Sequence, residues 1–494
     1  MLAMRRLWAH QFRRTTLVLF SSLTLLGGVL LAHQGQLLHS RWYWLSLLPL
    51  LWSLGARSIL TVCWLVLLMG GIGWQRGSEF VVKKQAYQPL YGQKLTLTVS
   101  ALNDAAYGRL SQFGFDGGQV ELSNGRTLAG KLQISGFGTN AVFQGDEIQV
   151  SGKLTPSTGA YQGRMSFAQL KVIKHHPSLI ASLRRKFSAG MQTALPEPLA
   201  PFAMGLLIGQ RTTLPANTKQ DLLMVGLTHI IAVSGYNLTI MLGASQRLAG
   251  KRSKRLTTGL TFVLMGLFLL MAGASASIVR AAIVSTLSIA AAYYGRNFKP
   301  LNLIALVAAI TAWANPFYVW GDASWYLSFL AFFGVLVLAP LLVGRFHPAW
   351  QQSLIIMVAI ESLCAEVMTM PYVLYTFGQI SFIGLPANVM VVTLIPLAML
   401  LSLVAGLGGM MAGSFAGWIA WPAQLILTYM LDIAHLLASV PHSFAQKIGF
   451  TVWQMAGVYL IVLLTTLGLY TKTKHTNYAK VTDRKRLKLK ELST

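Results

Sequence analysis

The sequence predicts a polytopic α-helical membrane protein with a small all-β barrel inserted between its membrane segments. Of the 494 residues, 54% are hydrophobic and only 11% are charged, whereas soluble globular proteins carry about 25% charged residues. In residues 76–176 the long apolar runs give way to an alternation of apolar and polar residues, which predicts the inserted β domain. The net charge of +26 suits anionic lipid headgroups or a polyanionic substrate.

Residues 1–75 are predicted to form N-terminal transmembrane helices. Four arginines in the first fourteen residues precede apolar runs at residues 16–32, 42–54 and 58–74. Because positively charged ends stay in the cytoplasm, the N-terminus is expected inside the cell. Three crossings then place the next segment outside, although the middle run is short for a span of about 20 residues.

Residues 76–176 are predicted to form an extracytoplasmic barrel. Strand-like alternation occurs at residues 94–99, 131–134, 147–150 and 167–172. Turns are expected at Gly117-Gly118, Asn124-Gly125, Gly136 to Gly138 and Gly145-Asp146. The pattern fits an OB-like antiparallel barrel of about five strands, although strand number alone does not separate an OB-fold from other small barrels.

OB-folds often bind single-stranded nucleic acid through basic and aromatic side chains on one face. Side chains of both kinds are available in this region. The candidate DNA contacts are Lys94, Arg109, Lys131, Lys153, Arg164 and Lys171, with Tyr107 and Tyr161 as aromatic candidates. The alternative is that these charges only keep a strand surface soluble.

Residues 177–200 are predicted to form an amphipathic helix and a linker. Apolar residues recur every four positions from Leu179 to Leu195, and the basic residues 184–186 lie on other faces. This pattern is typical of a helix along the membrane surface, and packing on the barrel is the alternative. The membrane region 201–470 follows, and residues 471–494 form a basic tail that is expected in the cytoplasm.

Apolar runs divide the region 201–470 into membrane segments. They lie at residues 222–248, 256–274, 277–294, 301–314, 325–343, 354–377, 385–411, 415–440 and 452–470. Some are too short or too broken to cross simply.

Polar groups are concentrated at the start of this region. Arg211, Asp221 and His229 lie in or beside apolar segments. Because an ionisable group at membrane depth costs roughly 2.5–3.5 kcal/mol, such groups face a polar partner or a wet path. Asp221 and Thr228 are seven residues apart, so a single helix would place them on one face, with His229 nearby. A hydrogen-bonded core histidine is the alternative interpretation of His229.

The polar segment continues beyond His229. Ser234-Gly235 is expected to interrupt a helix, since a break at membrane depth survives only inside protein or against water. Tyr236 and Asn237 extend the polarity. We therefore predict a polar path or site here.

Arg280 is a further buried cation. It lies in an apolar run in which Gly273, Ser277 and Ala281 recur at a spacing of four, which permits close helix packing. Arg280 either faces a wet lumen or pairs with an acidic residue. The acidic candidates are Asp322, Glu361, Glu366 and Asp432.

Motifs across about 200 residues resemble those of the ComEC/Rec2 competence family, which comprises inner-membrane channels that import single-stranded DNA during natural transformation. The motifs are MGLLIGQR at 204–211, GLTHIIAVSG at 226–235, ASIVRAA at 276–282, LSFLA at 327–331 and LPAN at 385–388. The resemblance makes Asp322, Ser328 and Asn388 candidate polar residues of the DNA path, beside those named above. It also implies an OB-like domain, an external DNA receptor and a cytoplasmic helicase-like ATPase as partners.

Two departures from the family pattern affect the expected activity. Tyr236-Asn237 stands where many members have a Leu-His pair. No cluster resembles the ligand set of the metallo-β-lactamase-like nuclease that longer members carry, so we expect a short form and a separate nuclease for the complementary strand. Gly250-Lys251-Arg252 is not a Walker motif. We expect no catalytic residue, cofactor or metal site.

Two other functions remain to be compared with a DNA channel. A secondary transporter of a small anion or lipid precursor would explain the buried charges, and pseudo-symmetric halves would be typical of it, but the sequence has no convincing internal repeat. An intramembrane hydrolase using Ser234, His229 and Asp221 ranks third. Residues five and eight apart on one helix do not assemble a nucleophile, a base and an orienting group.

Overall fold

The structure, a computed structural model, describes residues 13–34, 59–103, 105–107, 112–138, 142–157, 161–175, 179–209, 214–231, 254–272, 276–295, 299–347 and 353–473. The chain divides into two compact units. The first contains residues 1–183 and 297–326, and the second contains residues 184–296 and 327–494. The fold is mostly helical, with a separate β domain in the first unit, as the sequence predicted.

Two long helices, Arg14–His33 and Ile59–Gln85, pack against each other in the first unit. A Cβ atom on Gly28 would overlap the carbonyl oxygen of Gly70, and one on Gly73 would overlap that of Leu25. Glycine is therefore required at this crossing, where the two backbones touch. The second helix continues to Gln85, beyond the end of its apolar run at residue 74, and the run at 42–54 lies outside the described residues.

The β domain contains the predicted strands and additional ones. In the described part of this domain the strands are β1 Lys94–Ala101, β2 Ala106–Tyr107, β3 Gln112–Leu122, β4 Thr127–Leu128, β5 Leu132–Phe137, β6 Glu147–Thr155 and β7 Gly163–Lys174. β1 pairs with β6 along one edge and with β3 along the other, while β7 joins β6 to β5 and β5 pairs with β3. The β5–β7 pair is parallel, so the prediction of a fully antiparallel domain was wrong at that pair.

The core of the domain lies between these strands. Its inward positions are apolar and alternate with outward polar positions, as the period-two pattern predicted. The largest fully buried side chains there are Tyr87, Phe113, Leu97, Leu132, Ile134, Ile148, Leu154 and Met165.

The remaining helices complete the first unit and build the second. Their bounds are Leu179–Ala194, Leu199–Ile208, Ala216–Met224, Thr228–Ile231, Lys254–Ala272, Ala276–Tyr293, Pro300–Ala314, Phe317–Gly321, Ala323–Phe333, Ala339–Val343, Leu354–Phe377, Gly384–Val392, Ile395–Met411, Ala416–Ala438 and Val452–Thr473. A π-helical turn, Gly334–Leu338, joins two of them. A two-stranded ribbon pairs β8 Ile380–Ser381 with β9 Phe444–Ala445.

Several of these helices can cross a membrane. Among the described residues, four are long and apolar enough, at Thr15–His33, Ala323–Val343, Ile355–Phe377 and Val452–Thr471. The pair Gly384–Val392 and Ile395–Met411 is a further candidate, bent by 50° at a short break. Together with the apolar composition, these helices identify a multi-pass membrane protein.

The basic amphipathic helix Leu179–Ala194 buries its apolar face inside the second unit. Phe187 and Met191 belong to the main hydrophobic core. A Cβ atom on Gly190 would lie 2.8 Å from the carbonyl oxygen of Gly406, and Phe187 lies beside Gly406 as well. This part of the helix therefore packs directly against Ile395–Met411, the second half of the bent pair.

Candidate functional site

Asp221 contacts a partner that the sequence motifs did not reveal. Its Oδ2 atom lies 2.9 Å from Nδ1 of His435, on the helix Ala416–Ala438. The Asp221 side chain is 25% exposed and that of His435 is 77% exposed. The contact joins two helices of the second unit at a partly exposed position.

His435 belongs to a polar face of its helix. Tyr429, Asp432, His435 and Ser439 follow one another at intervals of three or four residues, so they share that face. They line an open groove of about 410 Å³ together with Ile433 and Leu436. The i, i+3 spacing of Asp432 and His435 in an apolar run is the sequence signal of this face, and it lies outside the motifs that carry the family resemblance.

The predicted single polar helix through Asp221, Thr228 and His229 was wrong. The helix ends at Met224, and Gly226, with φ of +73°, turns the chain before the short helix Thr228–Ile231. Nδ1 of His229 lies 3.1 Å from the carbonyl oxygen of Gly226. The imidazole has exposed surface although protein surrounds its position.

The Gly226 turn lies against a second set of polar groups. A Cβ atom on Gly226 would lie 3.5 Å from Cβ of Ser381 and 3.7 Å from Cα of Gly384. A Cβ atom on Gly384 would lie 3.0 Å from Oε1 of Glu366. Small residues at both positions therefore let a turn, a ribbon strand and a carboxylate meet at the start of the helix Gly384–Val392.

Three buried oxygen atoms at this junction lack hydrogen-bond partners among the described residues. They are Oε2 of Glu366, Oγ of Ser381 and Oδ1 of Asn388. Asn388 lies four residues after Gly384 and therefore on the same helix face. We call Glu366, Ser381 and Asn388 the polar cluster. Since a buried polar atom without a partner costs free energy, the cluster is suited to a ligand, an ion or water.

The polar cluster lies in the first half of the bent span. The helix stops at Val392 and resumes at Ile395, with Pro396 at its start. In the second half, Oγ of Ser402 is also buried without a partner among the described residues. Broken helices at membrane depth occur where they are buried in protein or face a water-filled cavity.

Arg280 is fully buried in the helix Ala276–Tyr293, at 0% exposure. Its guanidinium carbon lies 5.9 Å from the ring centre of Phe329, which favours a cation–π contact. Ser328 is half-buried on the helix Ala323–Phe333. In the first unit, Oδ1 of Asp322 accepts hydrogen bonds from the backbone nitrogens of Ser324 and Trp325, so this carboxylate caps a helix.

Several predicted site residues lie outside the described residues. They are Arg211, Ser234, Gly235, Tyr236, Asn237 and, in the β domain, Arg109. Their proposed roles remain predictions.

Four predicted cations of the β domain are exposed on neighbouring strands. Lys94 lies directly opposite Lys153 in the β1–β6 register, and Arg164 and Lys171 are exposed on β7. Lys131 is exposed too, but its charge acts on Asp116.

Asp116 accepts a 3.0 Å hydrogen bond from the Tyr161 hydroxyl. Burial raises the pKa of Asp116, and the Tyr161 hydrogen bond and the Lys131 charge partly offset this. Burial, followed by the charge of Asp116, raises the pKa of Tyr161. Tyr161 is therefore engaged within the protein.

Comparison with known proteins shows that the region containing the polar cluster and the groove matches a known protein family. A family model described as "Competence protein" matches residues 206–472, more than half of the chain. ComE operon protein 3 from Bacillus subtilis (strain 168) is 25% identical over 276 residues, which cover 53% of this chain and 34% of that protein. The chain thus matches about a third of the length of this relative. No solved structure matches significantly.

Proposed function

Because the chain belongs to the competence protein family, as its motifs predicted, we propose that it conducts single-stranded DNA across the inner membrane during natural transformation. The proposal places DNA uptake in the second unit, which contains most of the residues that match the family.

The bent span with its polar cluster is the observation that carries this proposal. A DNA strand carries one negative charge per nucleotide and cannot cross hydrocarbon without water and polar protein along its route. Glu366, Ser381 and Asn388 present buried oxygen atoms without described partners beside an interrupted helix. Such a break needs surrounding protein or water, which supports a hydrated route at this point.

The carboxylate of Glu366 requires an explanation, because it lies beside the proposed route for a polyanion. Glu366 repels phosphates when ionised, so we assign it to binding water, a proton or a small cation rather than DNA. Arg280, buried over Phe329, contributes positive charge in the same unit.

We further propose that the β domain is OB-like, extracytoplasmic and a site of DNA contact. The five longer strands pair in the order β1-β3-β5-β7-β6, and β6 pairs with β1, which supports OB-like connectivity. Both termini are proposed to be cytoplasmic. An external DNA receptor, a helicase-like ATPase and a separate nuclease are the proposed partners.

A secondary transporter of a small anion or lipid precursor is the second candidate. Discontinuous helices with polar groups at the break also form substrate sites in transporters. The bent span is the observation that favours this candidate. It predicts that the polar cluster binds a small solute and that DNA uptake does not require the protein.

Deletion of the encoding gene in the source organism separates the two candidates. We expect transformation by chromosomal DNA to be lost while DNA capture at the cell surface persists, and a plasmid-borne copy to restore transformation. Unchanged transformation in the deletion strain would reject the DNA channel and leave the transporter.

A further inference from the structure

Two phenyl rings lie exposed side by side on the β domain. Phe137, at the end of β5, is 53% exposed, and Phe167, on β7, is 79% exposed. Their ring centres are 6.0 Å apart and their planes differ by 31°. Neither ring lies in a sequence motif that predicts a function.

The backbone at Phe167 adopts a conformation that a bulky residue rarely takes. Its φ of +55° lies in the left-handed region, which is an outlier for a large side chain. Lys153 pairs with Ser166 and Ser151 pairs with Gln169, so Phe167 is part of a β-bulge in the β6–β7 register. Bulges re-aim side chains near binding sites, and this one directs a large apolar ring into solvent.

Glycines make room for this bulge. A Cβ atom on Gly136 would overlap the carbonyl oxygen of Ala168. A Cβ atom on Gly152 would lie 2.9 Å from Cγ of Met165 and 3.4 Å from Cα of Ala168. The strands on both sides of β7 therefore lack side chains where they would obstruct the bulge.

The rings share the outer surface of the domain with exposed cations. On β7, Arg164, Phe167 and Lys171 are all exposed, and Lys153 on β6 lies opposite Ser166, next to Phe167 in the chain. Lys153 in turn lies opposite Lys94 on β1. Like charges directly opposite one another are unfavourable unless an anion accompanies them.

We propose that Phe137 and Phe167 form a stacking platform for bases of single-stranded DNA, with Lys94, Lys153, Arg164 and Lys171 contacting its phosphates. Exposed aromatic rings and cations along one surface are the combination that binds unpaired bases and a phosphate backbone together. Paired bases do not offer their faces, so the platform selects single strands. This inference rests on the proposed function and adds the surface of the β domain that contacts the DNA.

The test uses the full-length protein in detergent and a fluorescently labelled oligothymidylate, with binding followed by anisotropy. The double variant Phe137→Ala, Phe167→Ala should bind the oligonucleotide more weakly, by a factor of at least about five for each of the two rings lost. Phe137→Trp, Phe167→Trp should restore binding. Ile173→Ala, which removes an exposed apolar side chain on the same strand, is the matched control and should bind as the wild type does.

Salt dependence separates the two kinds of contact. Removing the rings should leave the slope of log affinity against log salt concentration unchanged, because stacking releases no counterions. Lys153→Gln, Arg164→Gln should make that slope shallower. Equal oligonucleotide binding by the double-alanine variant and the wild type would overturn the platform.

A bilayer is the other surface that exposed rings and cations can meet. A bimane probe on Phe167→Cys, in a Cys63→Ser, Cys364→Ala background in nanodiscs, should respond to added oligonucleotide and not to nitroxide-labelled lipid. Quenching by the lipid alone would overturn the proposal and assign the rings to the membrane. If the platform fails while the deletion strain still loses transformation, the channel proposal stands without it.

Discussion

Nδ1 of His435 lies 2.9 Å from Oδ2 of Asp221 and joins the helix Ala416–Ala438 to the helix Ala216–Met224. Asp221 precedes the Gly226 turn, and that turn contacts Ser381 and Gly384. One segment therefore connects the open groove with the polar cluster, and both lie within the region matched by the competence family.

The Asp221–His435 contact should contribute little to stability. Because His435 is largely exposed, the coupling energy in a double-mutant cycle of Asp221→Asn and His435→Ala should be about 0.2–1 kcal/mol. Thermal unfolding in detergent can be followed with a thiol-reactive dye that reports exposure of the buried Cys364, in a Cys63→Ser background. A coupling energy several times larger would mean that the pair is a major structural contact.

Replacing Asn388 by Leu should separate function from stability. The change removes a buried oxygen atom without a described partner, so the unfolding temperature should be unchanged or higher. Transformation should fall about tenfold or more if that oxygen faces a hydrated route, since an apolar side chain there raises the cost of passing charge. Met390→Leu, on the exposed side of the same helix, is the control. Normal transformation with Asn388→Leu would indicate a sealed packing site.

The stability of the β domain should depend on the protonation of Asp116. Burial raises its pKa in the folded chain, so the folded state binds this proton more tightly than the unfolded state. Lowering the pH through the raised pKa should therefore stabilise the domain until the ordinary value of about 3.9 is reached. Asp116→Asn should remove this gain while Asn accepts the Tyr161 hydrogen bond.

Hydrogen exchange of the β1–β7 amides measures this effect. The wild type and the variant are compared at the same pH, so that intrinsic exchange rates cancel. Protection in the wild type, relative to the variant, should rise as the pH falls. A difference that is independent of pH would show that Asp116 does not titrate differently in the fold.

Phe167→Gly should leave the β domain as stable or more stable. The left-handed conformation costs a non-glycine residue roughly 1–2 kcal/mol, and the ring buries little surface to offset this. Glycine relieves the strain but loses more entropy on folding, by about 0.5–1 kcal/mol. Urea unfolding followed by exchange of the β6–β7 amides tests this expectation. Strong destabilisation would mean that the ring serves packing rather than binding.

The sequence predicted the membrane helices well because long apolar runs are an unambiguous signal. The runs at 354–377 and 452–470 became the helices Leu354–Phe377 and Val452–Thr473. The break within 385–411 was less visible, since Thr393 and Pro396 are mild interruptions in a long apolar stretch. The position of the break depends on how the two half-helices pack against the rest of the unit.

Glycines were the main source of error in the β domain. Gly117-Gly118 was predicted to be a turn, but both residues lie inside β3. A Cβ atom on Gly117 would lie 2.7 Å from Cδ1 of Ile134, so this glycine allows close packing instead of a turn. Asn124-Gly125 and Gly145-Asp146 do form turns. Local sequence does not distinguish these cases because the difference lies in a contact with another strand.

The candidate site was only partly predictable for a similar reason. Asn388 lies in one of the recognisable motifs, and Asp221 lies between two of them. The roles of His435, Ser381 and the exposed Phe167 depend on partners far away in the chain. From the sequence, Glu366 was a candidate partner for Arg280 only. Its position beside Gly384 is visible only in the folded structure.

Transport of an oligonucleotide by the reconstituted protein tests the central claim most directly. Vesicles containing the chain, with a single-strand-binding protein trapped inside, are mixed with labelled oligothymidylate and then treated with nuclease. We predict that protected label accumulates in these vesicles, less so with Asn388→Leu, and not in protein-free vesicles or with a duplex of equal length. Protection no greater than in protein-free vesicles, also when a helicase-like motor is supplied, would contradict the channel.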